Sequence, residues 1–94
     1  MDNKEEITIN ELLEQFIEDN AKLNIGDKVK VNIKSDDYNN SYYFNVIDRC
    51  YVPSIDDIVY DLMYSRVYCI THLITIKESD IIFKNSICFA NFEL

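Results

Sequence analysis

The sequence predicts an α+β domain: an N-terminal amphipathic helix packed on an antiparallel sheet of five to six strands. Three observations carry this. A capped run with apolar residues at helical spacing fills the first quarter of the chain. After Gly26 the hydrophobic period changes from helical to two, and stays near two to the end. The 94 residues are 48% hydrophobic, with one glycine, one proline and no internal repeat, so one core and a single domain over residues 1–94 are expected. Residues 1–24 form its acidic helical segment and residues 25–94 its β-rich segment.

The helix start is written in Thr8-Ile9-Asn10-Glu11, a capping-box pattern in which the Thr8 hydroxyl takes a first-turn amide. Ile7 and Leu12 are spaced as a hydrophobic staple. Ile9, Leu12, Leu13, Phe16, Ile17 and Ala21 give the apolar stripe, so a helix is predicted over Ile9 to Lys22, ended by Asn24 and Gly26. Its other face carries Glu11, Glu14 and Glu18, three and four residues apart and therefore in line. This row reads either as a solvated surface or as a docking face for a basic partner.

Val29, Val31 and Ile33 alternate with Lys28, Lys30 and Lys34, the pattern of a half-buried strand with a basic outer face. Residues 35–41 read as a polar turn. Tyr42 to Val52 reads as a long strand with Tyr42, Phe44 and Val46 on one face and Tyr43, Asn45, Ile47, Arg49 and Tyr51 on the other. Pro53-Ser54 stops it, because proline has no N–H to give to a ladder. Ile58 to Met63 is the next strand. Tyr64-Ser65 is a weak turn, and Arg66 to Ile76 a further strand. Lys77 to Asp80 reads as a tight or 3₁₀ turn, and Ile81–Phe83 with Ser86–Phe92 as a last strand or pair.

In order, Ile25-Gly26-Asp27-Lys28-Val29-Lys30-Val31, Phe44 to Asp48, Ile58 to Leu62 and Ile74 to Ile81 resemble the outline of an SH3-like small barrel. The resemblance covers residues 25–83 and implies a five- to six-stranded SH3-like sheet or barrel. It assigns no function, since such folds host many. The chain has no Trp of the kind that lines a groove for proline-rich ligands.

Charge and residue inventory exclude several function classes. Seventeen acidic residues against nine basic give a net charge of −8. A broad basic surface for nucleic acid is absent, and an anionic membrane repels such a chain, so neither direct nucleic-acid nor membrane binding is expected. One histidine, His72, cannot build a triad or a His-rich metal site. The one glycine rules out phosphate-cradling loops. Asp56, Asp57 and Asp61 imitate a cation site but lack the spacing of a calcium loop. The expectation is therefore no enzyme, no cofactor and no metal. No signal peptide is read at the N-terminus, and Cys50, Cys69 and Cys88 form no CxxC pair, as reduced thiols would in a bacterial cytoplasm.

Charge is segregated along the chain. Residues 1–24 net −5, residues 25–34 net +2, residues 35–62 net −5 and residues 63–94 are neutral. Seven tyrosines lie within residues 38–68, among Asp36, Asp37, Asp48, Asp56, Asp57 and Asp61. Tyrosine supplies apolar area with a polar tip, which suits interfaces. Usage rich in Ile, Asn, Lys and Tyr is that of an AT-rich genome. In size and charge the chain resembles small acidic phage and mobile-element proteins that inhibit host defence, anti-CRISPR proteins among them. The expected function is a non-catalytic binding protein, monomer or homodimer, that docks on a basic surface of a protein partner such as a nucleic-acid-binding enzyme. The candidate contacts are Glu11, Glu14, Glu18, Asp36, Asp37, Tyr38, Asp56 and Asp57. The alternative is an SH3-like adaptor that binds through an apolar surface or a sheet edge.

Overall fold

The computed structural model describes residues 8–65, 71–85 and 87–94. It has one helix, α1 (Ile9–Asn20), and six strands: β1 (Lys28–Ser35), β2 (Tyr38–Val52), β3 (Asp57–Ser65), β4 (Thr71–Lys77), β5 (Ile82–Lys84) and β6 (Ile87–Glu93). A 3₁₀ turn, Glu78–Asp80, sits between β4 and β5. The strands form one sheet in the order β4-β3-β2-β1-β6-β5. The α+β class is as predicted, and the sheet is open, with β4 and β5 at its ends.

The first four strands are a meander, and every neighbouring pair is antiparallel except one. β6 runs parallel to β1, with Val31 opposite Ala90 and Ile33 opposite Phe92. This departs from the all-antiparallel expectation. The β5–β6 hairpin returns the chain to β1, and β1 gains a neighbour on its second edge from the far end of the sequence.

β2 is the spine of the fold. Its 15 residues span about 46 Å at strand rise, and the Cα extents are 62 × 29 × 26 Å. The radius of gyration is 16.1 Å, against about 12 Å for a spherical domain of this length. The strand begins at Tyr38, earlier than the sequence suggests, because Asp36-Asp37 alone make the turn and residues 38–41 pair with 35–32. β3 likewise continues through Tyr64 and Ser65, where a weak turn was expected: cross-strand pairing with His72 and Thr71 overrides local turn preference. The predicted strand residues 66–70, Ile7 of the staple, Cys69 and Tyr68 lie outside the described residues.

One irregularity redirects β2. The register with β3 shifts between Val46 and Asp48, so Ile47 is an extra residue. Strict alternation would send Arg49 and Tyr51 to the face away from Phe44. The bulge resets the parity, and Arg49 pairs with buried Tyr60 and Tyr51 with buried Ile58. The expected sharing of a face by Tyr43, Arg49 and Tyr51 is thereby corrected.

The core lies on one concave face of the sheet: Val29, Val31, Phe44, Val46, Ile58, Tyr60, Leu62, Ile76 and Ala90. Two residues from outside the strands seal it, Leu23 from the segment after α1 and Ile81 after the 3₁₀ turn. These gather at one end, called here the closed end. Tyr60 fixes the seal: its hydroxyl donates to Glu78 and accepts the Leu23 N–H at 3.3 Å, while Glu78 also accepts the Lys22 N–H at 2.9 Å. Burial, reinforced by the Glu78 carboxylate, pushes the Tyr60 phenol well above its ordinary value.

The helix is capped as predicted, with the Thr8 hydroxyl accepting from the Glu11 amide at 3.1 Å. Its packing is thinner than expected. No residue of α1 is buried. Leu13 and Ile17 are half-buried, Ile9 remains 76% exposed and Leu12 54%. Contact with the sheet comes from Phe16, whose ring lies 4.4 Å from that of Tyr51, and from Arg49.

Candidate partner-binding surfaces

The structure divides the predicted contact residues between the two ends of β2. The Asp36-Asp37 turn and Tyr38 are at its start, and the 53–56 turn with Asp56 and Asp57 is at its finish. With about 46 Å of strand between them, they do not form one surface. α1 belongs to the second group, because Phe16 stacks on Tyr51 and Tyr51 donates its hydroxyl to Asp56. That hydrogen bond holds the Tyr51 phenol above its ordinary value.

The closed end is acidic. Arg49 donates to the Leu23 carbonyl at 2.8 Å, to Asn24 Oδ1 at 3.2 Å and to Glu18 Oε2 at 2.8 Å. Its guanidinium supplies the cation that the C-terminal turn of α1 lacks. Glu14, Ile17, Glu18, Ile25, Asp48 and Arg49 line a shallow hollow of about 390 Å³, with three carboxylates against one guanidinium that Glu18 already engages. Glu11 and Glu14 are exposed and in no ion pair among the described residues. Asp56 and Asp57 are occupied in folding: Asp56 by Tyr51, Asp57 by Ser79 Oγ and the Ile58 amide. Asp61 accepts from Thr75 at 2.8 Å.

The other end of the same concave face has no seal among the described residues. Ile33, Tyr42, Phe44, Tyr64, His72, Ile74 and Phe92, with Tyr38, Leu73 and Leu94 at its edges, line a groove of about 640 Å³. It is aromatic: Tyr64 lies 4.9 Å from Tyr42, 5.6 Å from Phe44 and 6.4 Å from His72, ring to ring. Among the described residues, no lysine or arginine lines it. Sequence reasoning placed Ile33, Tyr42 and Phe44 on strand faces and Ile74 in a strand but did not find the groove. Alternation shows which residues share a face, whereas the groove exists because Leu23 and Ile81 stop short of this end.

The face of the sheet away from the core carries the basic row. Lys28, Lys30 and Lys34 project from β1 opposite Asn45, Tyr43 and Asn39. Two described cations are tied elsewhere, Arg49 to Glu18 and Lys77 to Asp80 at 3.8 Å. Asp48 and Asp61, opposite each other in the β2–β3 ladder, lie on this face too. Lys22 stands at the closed end with its ammonium 5.0 Å from the Phe83 ring centroid. The acidic excess is therefore a property of α1 and the turns rather than of one side. Among the described residues, no three His, Cys, Asp or Glu side chains gather to hold a metal. No described helix is long and apolar enough to cross a membrane. Of the described cysteines, Cys50 is exposed and Cys88 half-buried, both as free thiols; burial, with a smaller contribution from Asp27, raises Cys88.

Comparison with protein-family models, curated proteins and solved structures found no match.

Proposed function

We propose that this protein is a non-catalytic binding protein whose acidic surface docks on a basic surface of a protein partner. The partner surface is read as a nucleic-acid-binding site of a host defence protein, blocked in the manner of a phage inhibitor. The observation that carries this reading is the acidic row on α1: Glu11 and Glu14 are exposed and in no ion pair among the described residues, and the Arg49 guanidinium that lines the hollow with Glu14 is engaged by Glu18. Carboxylates on such a surface compete for the Lys and Arg side chains that phosphates use, and a one-signed field accelerates encounter.

The test is capture of partners from the source cell on the immobilised chain, followed by measured affinity between about 50 and 300 mM salt. The expected partner is a nucleic-acid-binding protein, its affinity falls at least about tenfold across that range, and added nucleic acid competes. Glu11→Lys with Glu14→Lys abolishes binding without unfolding the chain. Affinity that ignores salt overturns the reading.

A second reading, an SH3-like adaptor, is favoured by the open apolar groove and by the meander followed by a 3₁₀ turn and short last strands. Its contact survives charge reversal on the helix.

A further inference from the structure

We infer that the groove at the open end receives an apolar segment of a basic partner, with a lysine or arginine of that segment held at Asp36 and Asp37. This rests on the docking reading above and specifies which part of the partner is bound.

The molecule shows on itself what its concave face accepts. At the closed end a leucine from a non-sheet segment, Leu23, inserts among the strand residues. Its backbone is held from both sides, the N–H by the Tyr60 hydroxyl and the carbonyl by Arg49. The open end continues the same face with the same kind of wall, aliphatic Ile33 and Ile74 with Tyr42, Phe44, Tyr64 and Phe92. At about 640 Å³ it lies in the size range of pockets that bury a ligand, roughly 300–1,000 Å³. A single side chain leaves most of it empty, so a segment with more than one large apolar residue is required.

Charge selects the segment. Among the described residues, no lysine or arginine lines the groove. Its ring faces carry the negative side of their quadrupoles, which attract a cation. Asp36 and Asp37 form the turn beside Tyr38 at the edge of the groove, exposed and in no ion pair among the described residues. An acidic segment is repelled there. A second copy of this chain, itself at −8, brings like charge to the same place.

The experiment uses the full chain and fluorescein-labelled peptides of alternating composition: Leu-Arg as the probe, with Ser-Arg, Leu-Ser and Leu-Glu as comparisons. The Leu-Arg peptide is expected to bind by anisotropy, and the other three at least about tenfold more weakly. Tyr38→Ala, and Asp36→Asn with Asp37→Asn, each weaken the Leu-Arg peptide about fivefold to tenfold with the thermal midpoint unchanged. Glu11→Gln with Glu14→Gln, at the other end, leaves it unaffected. Ser-Arg or Leu-Ser binding as tightly as Leu-Arg overturns the inference, as does wild-type binding by the groove variants. Concentration-dependent dimerisation abolished by Tyr38→Ala also overturns it, by assigning the groove to a second copy. Loss confined to the helix variant overturns the groove while leaving the acidic docking reading standing.

Discussion

The two ends of the sheet are made of the same strands and differ in what covers them. At the closed end the concave face is sealed by Leu23 and Ile81, and three side chains, Tyr60, Glu78 and Arg49, satisfy the backbone of the sealing segment. At the open end Tyr42, Phe44, Tyr64 and Ile74 form an equally apolar wall with nothing described over it. A sheet face becomes core when a segment outside the sheet brings both an apolar side chain and backbone groups that the sheet can hydrogen-bond. Where the described residues bring no such segment, the same face is a groove.

The strongest way to break the contrast is to remove the seal. Leu23→Ala is expected to cost about 2–5 kcal/mol by leaving a cavity under the sealing segment, while Leu73→Ala at the open end, with the side chain 63% exposed, changes stability by less than about 0.5 kcal/mol. Urea unfolding of the pair measures both. Comparable values would mean that the open end is covered in solution.

The seal's polar clamp gives a smaller effect. Tyr60→Phe leaves the Leu23 N–H without its acceptor and is expected to cost about 1–3 kcal/mol. The folded phenol titrates above its unfolded value near 10, so its contribution is fully present below pH 10 and is lost as pH rises above it. Thermal midpoints from pH 8 to 11 should fall more steeply in the wild type than in Tyr60→Phe. Parallel curves would show that the clamp does not contribute.

The smallest effect separates Arg49's two roles. Arg49→Met removes the donor to the Leu23 carbonyl and should cost about 1–3 kcal/mol. Glu18→Gln, at a carboxylate whose side chain is 62% exposed, should cost less than about 1 kcal/mol. A larger loss for Glu18→Gln, read by calorimetry, would make the helix ion pair rather than the carbonyl contact the anchor of this end.

Much of the fold was legible because local chemistry and tertiary pairing agree. Thr8 caps α1, Gly26 takes the positive φ of 94° that its place after the helix needs, and Val29, Val31 and Phe44 alternate into the core. The illegible parts are those set at a distance. No local pattern announces that β6 lies parallel to β1. Nor does any reveal that Ile9 and Leu12, correctly placed on one helical stripe, stay exposed because α1 touches the sheet mainly through Phe16 and Arg49. For the site, the acidic residues were identifiable one by one, but their distribution was not. Glu11, Glu14 and Glu18 share α1 and Tyr38 adjoins the Asp36-Asp37 turn, whereas Asp56 and Asp57 are committed to Tyr51 and Ser79.

The bulge at Ile47 makes β2 unusually tolerant of one change and intolerant of its near equivalents. Deleting a residue from a regular strand turns everything beyond it over. Ile47 is the extra residue, so a chain lacking it keeps Val46 opposite Leu62 and Asp48 opposite Asp61 and gains an uninterrupted ladder. Deleting Cys50 instead, beyond the bulge, strands Arg49 or Tyr51 on the wrong side and loosens the helix that both of them hold. Ile47 is thus the residue of this strand that can be removed with every other side chain left facing as it does.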